Sequence, residues 1–321
     1  MNRRVGTGRT AALLAGAVLS AGLVACDSSR TSPAATDLAT SSQMPPADPC
    51  AGSTPADLTS IGVVVDDQER AAVVHVPRVD HDENGLPVVL GFHGFGGTTD
   101  DFEGDTGLVA TGDAEGFVTV FPAALGNPSR WDVRDPESPD LAFVDALLDD
   151  LEARICIDRN RIYATGFSQG ATMASAVGCS RPDRFAAIAP VAGTYGPMWR
   201  DICAGEPVPV IGFHGVLDPV VPYHGGTDAG GRPVIGADQW ATEWADMNAC
   251  MAGPEAQPSI GDVQPLFWTG CTAAVEFYRV TGAGHSWPGG PHDDPEMGGS
   301  SEAVSANDLI WSFFERHSLD G

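Results

Sequence analysis

Lysine is absent from this 321-residue chain; all 17 basic residues are arginine, set against 43 acids. Without lysine, no G-x-x-x-x-G-K phosphate loop can be built. The formal net charge of −26 argues against nucleic acid as a partner, because a phosphate backbone needs a basic stripe. It also argues against electrostatic attraction to anionic lipid. No two of the seven cysteines have C-x-x-C spacing, so zinc sites and thioredoxin-like chemistry are not expected. Neither a metal nor another cofactor is expected. Long apolar runs are missing as well: past the first 25 residues, no segment has the length and apolarity of a membrane span.

Those first residues form a separate unit. Arg3, Arg4 and Arg9 make a positive start, and Ala11 to Val24 is a short apolar run with the dimensions of a signal-peptide h-region. It ends in Leu23-Val24-Ala25-Cys26, which is similar to a bacterial lipobox, with the Cys26 thiol as the atom that takes the lipid. The alternative is an ordinary secretory signal with a cysteine nearby. The expected organisation is a signal peptide over residues 1–25, a lipidated Cys26 heading a Ser/Thr/Ala/Pro/Asp-rich tether over 26–49, and one catalytic domain over 50–321. The protein is then exported and held at the outer membrane face by its lipid alone, or released, and is expected to be a monomer. The remaining six cysteines are an even number in an exported chain, so three disulfides are expected, with 15 possible connectivities.

Inside the domain, strand and helix patterns alternate. Residues 61–65 and 71–76 read as an opening hairpin, and 87–92, 116–121, 161–167, 185–191, 208–213 and 275–280 as strands. Residues 105–115, 141–153, 169–179, 239–248 and 305–316 read as helices. This alternation predicts an α/β fold with a mostly parallel sheet covered on both faces.

Gly166-Phe167-Ser168-Gln169-Gly170 stands between a predicted strand and a predicted helix. In that setting G-x-S-x-G is a nucleophile elbow: the serine sits on a strained turn where side chains on the flanking glycines would collide. A serine hydroxyl needs a base. His285, in Gly284-His285-Ser286-Trp287-Pro288-Gly289-Gly290 after the last strand, is the leading candidate of eight histidines. His93 and His214 each end a strand in Gly-Phe-His-Gly and are read as shaping their loops; His75 and His81 are bystanders, and His224, His292 and His317 lack a strand end. Asp218, in Asp218-Pro219-Val220-Val221-Pro222-Tyr223, follows a strand and completes the order Ser, Asp, His; Asp246 and Asp262 are the alternatives. Backbone N–H groups of Gln169 and Phe95, the latter in the Gly-rich run 93–97, are expected to form the oxyanion hole.

These pieces in this order resemble the esterase family that includes extracellular polyhydroxybutyrate depolymerases, feruloyl and acetylxylan esterases, and the actinobacterial lipoproteins called LpqC. The resemblance runs from about Pro87 to Phe314 and also takes in Arg161 to Ser168, Ala187 to Gly193 and Gly225-Gly226. It implies an α/β-hydrolase fold, no metal, and hydrolysis of carboxylic esters (hydroxyalkanoate, feruloyl, acetyl or other short acyl) by Ser168, Asp218 and His285 through an acyl-enzyme. It implies the pairings Cys50–Cys156, Cys179–Cys203 and Cys250–Cys271, and suggests His93, Trp131 and Trp287 as residues of the substrate cleft. Two departures stand out. Gln169 replaces a frequent Asn, which should not matter if only its N–H acts, and the cysteine-rich segment many members carry after the position of Trp131 is absent. An envelope acyltransferase, a peptidase, and a surface-binding lipoprotein without catalysis are the competing readings.

Overall fold

The computed structural model describes residue 50 and residues 58–79 and 84–320. The leader, Cys26, the whole tether (26–49) and His81 lie outside the described residues.

In chain order the strands are β1 (Ser60–Val65), β2 (Gln68–His75), β3 (Leu86–Phe92), β4 (Val118–Pro122), β5 (Leu125–Gly126), β6 (Ser129–Arg130) and β7 (Ile157–Phe167). They continue with β8 (Ala187–Val191), β9 (Val210–Gly215), β10 (Gly226–Thr227), β11 (Pro233–Val234), β12 (Ala252–Ala256), β13 (Val263–Thr269) and β14 (Val275–Val280). The helices are α1 (Thr99–Thr106), α2 (Leu108–Glu115), α3 (Pro139–Arg154), α4 (Gln169–Ser180), α5 (Ala237–Met247) and α6 (Ala306–Phe314).

Ten strands form one sheet in the order β1-β2-β4-β3-β7-β8-β9-β14-β13-β12. The six from β4 to β14 run parallel, and both outer pairs run antiparallel. The central strands are largely apolar, and every residue of β3, β4, β8 and β9 is buried. Such strands need helices on both faces. Residues of α3, α4 and α5, such as Leu147, Val177 and Trp240, build the core on one face; Phe102, Leu108 and Phe313 of α1, α2 and α6 build it on the other.

The α/β-hydrolase fold expected from the sequence is therefore present, with three local differences. The helix expected over residues 105–115 is two helices, because Gly107 lies in the left-handed region at φ 63° and ends α1 through a bond to Glu103 O. Helix α3 starts two residues early, where Ser138 caps it by accepting from Leu141 N and Pro139 stands at its first turn. The antiparallel addition β12–β13 was not expected; β12 is exposed along its length and holds Gly253 and Pro254. The disulfides are Cys50–Cys156, Cys179–Cys203 and Cys250–Cys271. Among the described residues no helix is long and apolar enough to cross a membrane.

Candidate active site

Four of the parallel strands deliver their following loops to one edge of the sheet. Strand β3 leads to residues 93–97, β7 to Ser168, β9 to Asp218 and β14 to His285. The carboxyl edge of such a sheet is where α/β proteins assemble sites.

Ser168 sits at φ 57°, ψ −118° between β7 and α4. A non-glycine residue there is strained by about 1–3 kcal/mol, held by its surroundings. Those surroundings demand glycine: a Cβ on Gly170 would lie 1.9 Å from Phe92 O, and one on Gly166 would lie 2.3 Å from Gly170 O. The Ser168 N–H is tied to Val191 O at 3.0 Å, and the residue is half-buried.

His285 Nδ1 lies 2.7 Å from Asp218 Oδ2, with the Asp218 side chain fully buried. The other oxygen, Oδ1, accepts the N–H groups of Val220 at 2.8 Å and Val221 at 2.7 Å. A second imidazole reaches the same carboxylate: His214 Nε2 is 3.3 Å from Asp218 Oδ2 and donates to Val221 O at 3.0 Å. Burial disfavours the charged carboxylate, but hydrogen bonds from His214 and His285 outweigh it and hold the Asp218 carboxyl well below its usual range. The ring of His285 rests on Phe167, with centroids 4.7 Å apart.

The loop after β3 approaches the same point: a Cβ on Gly94 would come within 3.4 Å of Ser168 Cβ. His93, read as a cleft residue, is instead buried behind this loop. Its Nε2 accepts the Ala124 N–H at 3.1 Å, which leaves the proton on Nδ1, 2.8 Å from Gly94 O. Burial holds its pKa below the ordinary histidine value, against the opposing effect of the Gly94 bond. Gly97 N–H also donates to Gly94 O, at 3.1 Å. With that carbonyl fixed toward His93, the trans peptide sends the Phe95 N–H the opposite way. Among the described residues this N–H meets no acceptor, whereas Gly96 N–H is taken by Ser129 O at 2.8 Å. Gln169 opens α4, so its N–H is likewise outside the helix ladder.

Beside this point lies a cavity of about 500 Å³, lined among others by Trp131, Gln169, Thr172, Tyr195, Met198 and Trp199. Gln169, Thr172, Ser175 and Ala176 share its wall, so the space follows one face of α4 for about 10 Å at 1.5 Å per residue. Trp131, read as a cleft residue, lies along this wall; it is 3% exposed and its indole donates to His93 O at 2.8 Å. The Gln169 side chain is not idle: its Oε1 accepts the Trp131 N–H at 3.0 Å. That gives the side chain a place in the cavity wall, apart from the chemistry, which the change from Asn was expected to leave unaffected. Trp287 is also a correction. It is 3% exposed, packs edge-on against Phe102 and donates to Asn307 Oδ1, so it belongs to the core under the His285 loop.

Two supports escaped sequence reasoning. His214 was read only as shaping a loop. Asp140 is buried against Arg70 at 2.6 Å and accepts the Asp132 N–H at 2.5 Å, fixing the loop that carries Trp131. The Cys179–Cys203 bridge, a pairing the resemblance implied, ties α4 to the Trp199–Ile202 turn that walls the cavity. Nothing in local spacing announces the Asp140 support, since Arg70 and Asp140 stand 70 residues apart and meet only after folding.

A family model described as phospholipase/carboxylesterase matches residues 141–230. The chain is 28% identical over 284 residues to a Nocardia uniformis subsp. tsuyamanensis protein that carries an esterase name, NocK, covering 80% of this chain and 83% of that one. It is 30% identical over 198 residues to feruloyl esterase C of Emericella nidulans, covering 61% of this chain and 64% of that one. Its fold is similar to that of an acetyl xylan esterase from Aspergillus awamori, at a TM-score of 0.59 and 15% identity, covering 80% of this chain and 98% of that chain.

Proposed function

We propose that this chain is a carboxylic ester hydrolase of the α/β-hydrolase fold, akin to the feruloyl esterases it is similar to, and that it works through an acyl-enzyme on Ser168. His285 Nε2 takes the Ser168 proton as Oγ attacks the ester carbonyl. Asp218 holds the imidazole through Nδ1 and stabilises the imidazolium that forms. The N–H groups of Phe95 and Gln169 receive the oxyanion. The tetrahedral intermediate collapses, His285 returns the proton to the departing alcohol, and the acyl group stays on Ser168. Water, deprotonated by His285, then attacks the acyl-enzyme and releases the acid. The observation that carries this reading is the 2.7 Å His285–Asp218 contact at the same sheet edge as the strained Ser168 turn. Replacing Ser168 with Ala is expected to lower kcat for p-nitrophenyl acetate by at least about 10³-fold; a variant with wild-type turnover would contradict it.

The acyl or alcohol group enters the cavity along α4. Its aromatic walls, Trp131, Tyr195 and Trp199, favour a flat or ring-bearing group over a bare acetyl, which agrees with the feruloyl esterase name of the Emericella relative. Comparing kcat/KM for methyl ferulate, acetylated xylan and hydroxybutyrate oligomers separates the classes; preference for the oligomer over methyl ferulate would contradict this. We further infer export, since three disulfides suit an oxidising compartment. Lipid attachment at Cys26 is tested by the membrane fraction of a Cys26→Ser protein: loss from the membrane supports anchoring, and retention opposes it.

A further inference from the structure

Most arginines among the described residues are neutralised. Among the described residues, ten of thirteen have an acid within 4.0 Å. With 43 acids in the chain, that is what chance and folding would produce. Arg130 is one of the three that do not, and of these it alone lines the cavity beside Ser168. The other two arginines on the cavity are occupied. Arg134 binds Asp132 through Nε at 2.9 Å and Nη2 at 2.6 Å, and Arg232 Nε binds Asp228 at 2.8 Å. Of the acids on the cavity, neither Asp132 nor Asp201 makes an ion pair with Arg130; the Asp132 carboxyl, held low by its hydrogen bond from Arg134, feels the Arg130 charge only as a lesser contribution.

The backbone on either side of Arg130 is held to both segments that carry the free N–H groups. Ser129, before it, accepts from Gly96 N–H at 2.8 Å and donates through Oγ to Gly97 O at 2.7 Å. Trp131, after it, donates to Gln169 Oε1. An exposed guanidinium with no acid within 4.0 Å among the described residues is thus fixed at its base next to the reacting centre.

We propose that Arg130 binds a carboxylate on the substrate, so that the preferred ester is one borne by an acidic molecule. The guanidinium fork matches a carboxylate bidentately. A chain of net charge −26 repels anions at a distance, but at ordinary ionic strength that field is screened beyond about 8 Å. Close contact then decides, and Arg130 supplies the attraction there. This inference rests on the ester-hydrolase reading of Ser168.

The test uses matched ester pairs on the full folded domain. For a carboxylate on the acyl side, the mono-p-nitrophenyl ester of glutaric acid is compared with p-nitrophenyl valerate. For one on the alcohol side, 4-acetoxybenzoate is compared with 4-acetoxybenzamide. The quantity read is the ratio of kcat/KM, anionic over neutral, in wild type, Arg130→Ala and Arg130→Lys, at low and high salt. In at least one pair the ratio is expected to fall about tenfold in Arg130→Ala, less in Arg130→Lys, and to shrink with salt in wild type. A ratio that Arg130→Ala leaves unchanged in both pairs overturns the proposal. So does a uniform loss on both members of each pair, which would mark Arg130 as structural. Failure of wild type to hydrolyse any of the four esters would instead strike the underlying esterase reading.

Discussion

Gln169 Oε1 accepts the backbone N–H of Trp131 at 3.0 Å. The residue after Ser168 therefore does two separable things: its own N–H stays free at the start of α4, and its side chain fixes the cavity wall.

Gln169→Ala separates these roles. The free N–H remains, while the loop carrying Trp131 loses one hydrogen bond, worth about 1 kcal/mol. KM for a ring-bearing ester such as methyl ferulate is expected to rise about fivefold, with a smaller change for p-nitrophenyl acetate. Steady-state kinetics on both substrates checks this; an equal loss of kcat on both would mean that the side chain serves the chemistry and not the wall.

His93 acts through the Gly94 carbonyl. Its Nδ1–H holds that oxygen at 2.8 Å while Nε2 accepts from Ala124. In His93→Ala only the Gly97 N–H still holds the Gly94 carbonyl, so the Phe95 N–H is less firmly aimed as the proposed oxyanion donor. The expected result is a fall in kcat of about 10²-fold with KM nearly constant, in a protein that remains folded by circular dichroism. A change confined to KM would contradict it.

Asp218 carries a pH signature. Its folded pKa is depressed by the hydrogen bonds from His214 and His285, which outweigh burial. A depressed carboxyl stabilises the fold fully above its unfolded value of about 3.9, and this contribution is lost as pH falls toward the folded value. Asp218→Asn lacks that contribution at every pH. Its Tm deficit relative to wild type is therefore expected to be constant at neutral pH and to narrow below about pH 4. Its kcat should be about 10⁴-fold lower at neutral pH, where an Asn cannot fix the imidazole tautomer.

His317 gives an acid effect remote from the site. Burial, reinforced by Arg316, lowers its pKa to about 4. The fold thus favours the neutral ring, and the unfolded chain binds the proton more readily between about pH 6.5 and that value. Stability from this group is present above about pH 6.5 and lost as pH falls to the folded value. His317→Gln is expected to show a shallower fall in Tm over that window. Parallel Tm curves for the two proteins would contradict the assignment.

How much of this was legible depended on whether the signal was local. G-x-S-x-G, the loop of Asp218 and the loop of His285 each follow a buried apolar strand, so strand ends and chain order sufficed to bring them to one edge. Trp287 misled because it neighbours His285 in sequence. Successive residues on a loop face different ways, and its indole turns to Asn307 and Phe102. His214 was underread because its value depends on the turn that folds Asp218 back onto it four residues later. The edge strands β12 and β13 carry too little alternation around Gly253 and Pro254 to read as paired strands. The cavity itself was invisible, since Tyr195 and Trp199 reach it from a loop with no regular pattern.

The central claim is that Ser168 becomes covalently acylated, and trapping that residue tests it most directly. A fluorophosphonate that phosphonylates activated serines is allowed to react with the folded protein, and the modified peptide is identified by mass spectrometry. One adduct per chain on the peptide containing Ser168, absent in Ser168→Ala and strongly slowed in His285→Ala, is the expected result. A folded wild-type protein that takes no label, or takes it at a different serine, would contradict the account.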